Sequence, residues 1–387
     1  MMKRALIAIL IIFSVFTVGC RETGSEDTSK DNSNQIADNS ITENQDEKDK
    51  AENTSEEIEE TIKETENQQK NEQKNEPVVS EYSIKEYVGI KADEKYNYAG
   101  ENSEYAEYVR YVDYIDGNKY QIRTNNSATE TVTVIELTDN ELKMVSRKGV
   151  CDYRENFLKK PETEETEKEI LLKAPIAKGT EWTLSDGSKR HISSIDAVVS
   201  TSIGELKCVE VTTENISGQK NLQYYAPNLG LVKEVKDAGN MNIISTLESI
   251  HKDAKLTQVI RFYYPDGNAE YMHYEDVSIS FETNDITRLI LQNKFREYNL
   301  LKSEVLINSL YLNDDGMLYL DVTKNFVPEM ANGTAGEYFA IYDLVNTLGR
   351  YYGVDSVYMT LDGGNYESGH IVKYKGESFS VDLSRVQ

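Results

Sequence analysis

Residues 107–126, "EYVRYVDYIDGNKYQIRTNN", decide how the long middle of this chain is read. Tyr, Val and Ile alternate with polar residues on either side of Asp116-Gly117-Asn118, the pattern of two half-buried strands joined by a tight turn. The same pattern recurs downstream. "TVTVIELTDNELKMVSRKG" (131–149) turns at Thr138 to Asn140, and "HISSIDAVVSTSIGELKCVEVTTE" (191–214) and "NLQYYAPNLGLVKEVK" (221–236) read strand, turn, strand. Helical periodicity is scarce, and Gly, Asn and Asp punctuate at short intervals. Residues 86–252 are therefore expected to form a meandering, strongly curved antiparallel β domain.

Toward the N-terminus the character changes twice. Lys3 and Arg4 precede an apolar run from Ala5 to Val18, too short for the roughly 20 residues that span a bilayer and shaped like a secretory signal peptide, residues 1–19. "TVGC" resembles the lipobox of bacterial lipoproteins, which implies lipid on Cys20. Two or more acyl chains there would hold the chain stably at a membrane, on the extracytoplasmic face. From 21 to 76 there is no aromatic residue, and 18 acidic residues face 7 basic ones. Such a segment cannot bury enough apolar surface to offset its ordering entropy. Residues 20–85 are thus expected to be a disordered acidic tether, spanning on the order of 40 Å as a flexible coil. The net charge of −25 argues against a nucleic-acid partner, because phosphate binding needs a basic surface.

Beyond residue 255 the signals mix. "LTQVIRFYYP" (256–265) and "AEYMHYEDVSIS" (269–280) read as strands, and "SEVLINSLYLNDDGMLYLDVTKNF" (303–326) as a hairpin around Asn313 to Gly316. In "DITRLILQNKFREY" (285–298), Ile286, Leu289, Ile290 and Phe295 fall at helical spacing. So do Tyr338, Ile341, Tyr342, Val345 and Leu348 in "TAGEYFAIYDLVNTLGRYYG" (334–353). "VDSVYMTLDGG" (354–364) closes with a strand. The expected whole is an α+β multidomain chain ending in a small α/β domain at 255–387, two helices on a mixed sheet.

The pieces "VIRFYYPDG", "LYLNDDGMLYLDVTKNF", "GEYFAIYDLVNTLGRYY" and "VDSVYMTLDG" resemble a GerMN domain, the module named from sporulation and spore-germination proteins. The resemblance covers about a third of the chain. It implies an extracytoplasmic assembly factor that binds protein partners of the cell envelope and is not an enzyme. "APIAKGTEW" (174–182) and "YYAPNLGLVKEV" (224–235) loosely resemble β-rich regions of other Gram-positive lipoproteins, which have no reaction attached to them.

Candidate chemistry is sparse. His191, His251, His273 and His370 stand singly, at no metal-ligand spacing, so neither a metal nor a cofactor is expected. Ser217 to Lys220 match Ser-x-x-Lys but lie between strand-like runs, where a hairpin turn explains them better. Glu337 follows Thr334 at capping-box spacing, which makes it a helix-start residue and not a general base. Asp314 and Asp315 are turn residues, and Asp321 and Asp362 read as strand-end structural carboxylates. No catalytic residue is assigned. Cys151 and Cys208 are a candidate disulfide in an exported protein, with two separately buried thiols as the alternative. Tyrosine dominates the aromatics, 26 against 9 Phe and 1 Trp. Half-buried sheet positions account for most of these, and stacking on cell-wall sugars, with peptidoglycan as the partner, is the competing reading.

Overall fold

A computed structural model describes residues 78–159 and 168–387. The expected signal peptide, Cys20 and most of the tether lie outside the described residues. Residues 78–85, assigned above to the tether, are packed. Val79 forms a bridge with Ala177, Ser80 N–H donates to Ile176 O at 2.7 Å, and Ile84 is buried in a 3-10 turn, Ile84–Tyr87.

Twelve strands follow in one antiparallel sheet. They are β1 (Lys95–Glu101), β2 (Tyr108–Asp116), β3 (Lys119–Asn126), β4 (Glu130–Leu137), β5 (Glu141–Lys148) and β6 (Glu169–Lys173), then β7 (Glu181–Thr183), β8 (Lys189–Thr201), β9 (Gly204–Glu214), β10 (Lys220–Ala226), β11 (Gly230–Asp237) and β12 (Asn242–His251). Their order is β6-β5-β4-β3-β2-β1-β12-β11-β10-β9-β8-β7. The β2–β3 turn has Gly117 at its first central position with φ +59°, a conformation open to Gly at no steric cost.

The sheet rolls until its halves face each other. Ile122 and Leu142 share a buried cluster with Trp182, Ile192, Val209 and Tyr225. Its two edges, β6 and β7, meet through side chains. Trp182 Nε1–H and Arg190 Nη1–H both donate to Ile170 O, at 3.0 and 2.7 Å, and Arg190 pairs with Glu169 at 2.5 Å. Unpaired strand edges invite association with other chains, and here the Ile170 carbonyl on edge strand β6 is taken up by donors from β7 and β8.

Strand alternation gives β2–β5 two different faces. Ile122 and Ile135 point to the inside of the roll, whereas Val132, Val134 and Val145 join the core of the C-terminal part. A bulge at Val112–Tyr114 adds a residue and re-aims the strand. Tyr108 and Val112 lie inside, and Tyr114 bonds outward to Thr287 at 3.0 Å.

The C-terminal part begins with a hairpin, β13 (Leu256–Pro265) and β14 (Met272–Phe281), followed by α1 (Thr287–Glu297). Then come β15 (Ile307–Leu312), β16 (Leu318–Val322), α2 (Phe326–Met330), α3 (Gly333–Tyr352) and β17 (Ser356–Leu361). Three two-residue strands close the chain, β18 (Tyr366–Glu367), β19 (Val372–Lys373) and β20 (Phe379–Ser380). The mixed sheet is β15-β16-β17-β20, with β16 and β17 parallel and joined across α3.

Two expectations are corrected. The C-terminal part has three helices, because "FVPEM" adds the short α2, and on α1 Phe295 and Ile290 meet the core as expected but Ile286 does not. Thr287, Leu291, Gln292 and Phe295 are buried, whereas Ile286 is the outward N-cap residue. Helix α3 is buried almost all round from Phe339 to Gly349, as a helix packed on two sides must be. It ends at Gly353, whose φ of +68° makes the left-handed cap.

Candidate functional site

The outer face of the mixed sheet carries a row of tyrosines beside a row of carboxylates. Alternation on β16 sends Leu318, Leu320 and Val322 to the core and leaves Tyr319 and Asp321 outside. On β17, Val357, Met359 and Leu361 turn in, and Tyr358 and Thr360 turn out. Register then places Tyr311 opposite Tyr319, and Tyr319 opposite Tyr358. The result is a row of three rings with centroids 5.4 and 4.9 Å apart. Tyr311 is 39% exposed, so one end of the row is open to solvent.

Beside the rings runs a polar row. Asp321 Oδ1 accepts from Thr360 Oγ1–H at 2.6 Å and Gly363 N–H at 2.7 Å, and its Oδ2 accepts from Asn308 Nδ2 at 2.9 Å. Asp362 accepts from the same Asn308 at 3.1 Å and from Lys324 N–H at 3.1 Å. The two carboxylates tie the ends of the parallel strands to the loops beyond them. At the other end of the row, Asp315 accepts from Met317 N–H and Tyr319 Oη–H, at 3.0 and 2.8 Å. The Met317 bond, with the others, holds its carboxyl below the usual range. A surface of this kind can stack on flat or apolar partner groups and exchange hydrogen bonds at its edge.

The capping-box expectation is overturned. The N-cap of α3 is Asn332, and it makes no side-chain cap bond. Thr334 is exposed, with His370 Nδ1 at 3.5 Å. Glu337 is fully buried and accepts a hydrogen bond from Tyr366 Oη–H at 2.9 Å, and its Oε2 has no partner. The helix starts one residue before Thr334, which places Glu337 a full turn in and facing the core.

Cys151 and Cys208 are free thiols in different hydrophobic clusters, the first facing the C-terminal part and the second inside the roll. Burial pushes their thiols up to about 11 and about 12, which leaves them weak nucleophiles. Ser217 and Gly218 sit in the β9–β10 turn, where both of their N–H groups bond to Asn215. The four histidines lie on separate elements. Among the described residues no group of three or more His, Cys, Asp or Glu is placed to hold a metal ion, and no helix is long and apolar enough to cross a membrane.

Sequence reading missed the buried charges. Arg123 pairs with Asp113 at 3.1 Å and with Glu130 at 2.8 Å. The one available signal was charged residues, Asp113 and Arg123, inside otherwise apolar strands.

Residues 261–367 match the Germane family model, described as sporulation and spore germination. The matched segment runs from β13 to β18 and holds the whole Tyr311–Tyr319–Tyr358 face together with the Asp321–Asp362 clasp, so this part of the chain is similar to a sporulation and spore-germination domain. No curated protein matches the chain. Among solved structures, a Bacteroides fragilis protein described as exported and with a YmcC-like fold aligns at 14% identity. The alignment covers 43% of this chain and 99% of that one, with a TM-score of 0.28.

Proposed function

We propose that this chain is a lipoprotein held by lipid on Cys20 at the extracytoplasmic face of the cell membrane, and that its Germane-like region is a binding or assembly module in sporulation or spore germination. The observation that carries the binding role is the open row of Tyr311, Tyr319 and Tyr358 on the segment that matches the family. Tyr favours interfaces because an apolar body and a polar tip serve the same contact. The neighbouring carboxylates support contact over catalysis, since Asp321 and Asp362 are engaged by backbone and side-chain donors. The acidic segment after Cys20 would act as a spacer, lifting the folded part from the lipid.

The test is site-specific photo-crosslinking from position 311 in the native host, in vegetative and sporulating cells. A discrete protein adduct in sporulating or germinating cells is the expected result, and Tyr358→Ser should weaken it. Pelleting with purified peptidoglycan that Tyr358→Ser abolishes, without any protein adduct, would replace this reading with wall-glycan binding. The anchor is tested separately. Cys20→Ala should appear in the soluble fraction or as unprocessed precursor, and mature, membrane-bound Cys20→Ala would remove the lipid anchor from the proposal.

A further inference from the structure

The hairpin β13–β14 leaves a long strand edge open. Among the described strands β14 pairs in a sheet only with β13, from Leu256–Phe281 to Pro265–Met272 without a bulge. On the far side of β13, Tyr263 N–H donates to Thr347 Oγ1 of α3 at 3.0 Å. Hydrogen-bonded and wide pairs alternate along an antiparallel ladder, so Tyr263 and Tyr274 form a wide pair. The N–H and C=O groups of Tyr274, Asp276, Ser278 and Ser280 therefore point outward, and among the described residues they have no partner. All four residues are exposed. Folded proteins blunt such edges with Pro, Lys or a bulge, and β14 has none of these.

The edge already accepts a strand at its first position. Met272 N–H donates to Arg385 O and Gln387 N–H donates to Met272 O, each at 2.9 Å, a parallel bridge opposite Val386. Charge says what fits the open positions beyond it. Residues 256–281 hold Asp266, Glu270, Glu275 and Asp276 against Arg261 and His273. Arg261 is engaged by Asp276 at 2.7 Å, and His273 lies beside the Tyr264 ring. Glu270 and Glu275 are exposed and pair with no cation among the described residues, and Glu275 accepts from Tyr298 Oη–H at 3.2 Å. A second copy of a chain of net charge −25 is repelled, and a cationic strand is attracted.

We propose that the β14 edge binds an extended, cationic peptide segment of a protein partner, which adds a strand along Tyr274 to Ser280. Main-chain hydrogen bonds hold the added strand, and a Lys or Arg of the partner lies opposite Glu275. The edge lies within the segment that matches the Germane model but uses none of Tyr311, Tyr319 and Tyr358. It therefore stands or falls apart from the face proposed above.

The full chain is titrated with fluorescein-labelled Lys-Val-Thr-Val-Lys-Val-Thr-Val while anisotropy is followed, in about 0.15 M salt to screen long-range attraction. A second peptide has Glu for Lys, and a third has Pro for Val, which keeps the charge but cannot form the ladder. Saturable binding of the lysine peptide is expected, about fivefold tighter than the glutamate peptide, with the proline peptide not binding. Ser278→Pro removes an outward N–H and leaves the β13 ladder intact. It should weaken binding about tenfold with the parent's circular dichroism. Glu275→Lys should shift the preference severalfold toward the glutamate peptide, and it carries the test should Ser278→Pro fail to fold. Absence of saturable binding, equal binding of any two peptides, an unchanged preference in Glu275→Lys or unchanged binding in folded Ser278→Pro would overturn the proposal. So would a dimer of the chain alone that Ser278→Pro dissociates, because a second copy would then hold the edge.

Discussion

Tyr366 is the sole hydrogen-bond partner of the Glu337 carboxylate, inside a core that excludes water. Removing that hydroxyl leaves a buried carboxyl group without any donor, which costs about 1–3 kcal/mol. Tyr366→Phe should lower the urea midpoint accordingly. Thr334→Ala, at an exposed position that makes no cap, should stay within about 0.5 kcal/mol of the parent. The reverse ranking would restore the capping box. Asp343 on the same helix is buried with its Oδ1 unpartnered, and burial pushes its carboxyl up to about 8. In the unfolded chain it titrates near 3.9, about the ordinary value. Between those values the folded state holds a proton that the unfolded state has released. The stabilising contribution is therefore fully present below about pH 4 and is lost as pH rises through 8. Asp343→Asn should gain on the order of a few kcal/mol relative to the parent between pH 4 and pH 8. Urea melts at stepped pH check this, and parallel stability–pH curves would refute it.

At the scale of elements, hairpin turns and one close backbone crossing set the geometry. The segment before β1 crosses the β10–β11 turn, where Gly89 has φ +63° and Gly230 φ +73°. A Cβ on Gly230 would sit 2.4 Å from Val88 O, and one on Gly89 would sit 2.0 Å from Leu229 C. Both neighbours are backbone and cannot swing away. At Gly117 the φ is also positive, but nothing lies within 4 Å. Gly117→Ala therefore carries only the conformational penalty, about 1 kcal/mol. Gly230→Ala adds a clash and should cost about 2 kcal/mol or more. Chemical denaturation of the pair gives the ordering directly, and equal losses would mean that the crossing is not tight.

Across the described residues, Arg154 joins the rolled sheet to the C-terminal part. Its Nη2 donates to Asp113 O at 2.8 Å and Glu282 O at 3.0 Å, and its Nη1 donates to Tyr114 Oη at 2.7 Å and Thr287 Oγ1 at 3.1 Å. The guanidinium also covers the Tyr114 and Phe281 rings at 4.2 and 5.1 Å. The hydrophobic core is continuous across the same junction, with Val132 and Val134 in one cluster with Phe262 and Phe295. Folding should therefore be cooperative from β1 to β20, with fluorescence and circular dichroism melting together. Arg154→Leu leaves several buried acceptors without a donor and should cost about 3–5 kcal/mol, separating the two melting curves. Coincident curves with little loss of stability would show that the junction does not couple the halves.

Local pattern was enough for the hairpins, the long α3, the turn at Ser217 to Lys220 and the segment that matches the sporulation and germination family, because each is written in consecutive residues. Gly117 needs only its own φ, and the alternation of "LYLDV" needs only the pleat of a strand. Contacts distant in sequence were decided by tertiary structure alone. The bulge at Val112–Tyr114 turns Tyr114 away from the face of Tyr108, and nothing in "YVRYVDY" marks the extra residue. The start of α3 two residues early, with Asn332 and not Thr334 as its N-cap, carried Glu337 from the first turn into the core. The pairing of Asp113 with Arg123 and the closing of β6 against Trp182 and Arg190 both depend on how far the sheet curls. Curvature is the accumulated twist of twelve strands, a property of their packing that no single stretch of the chain encodes.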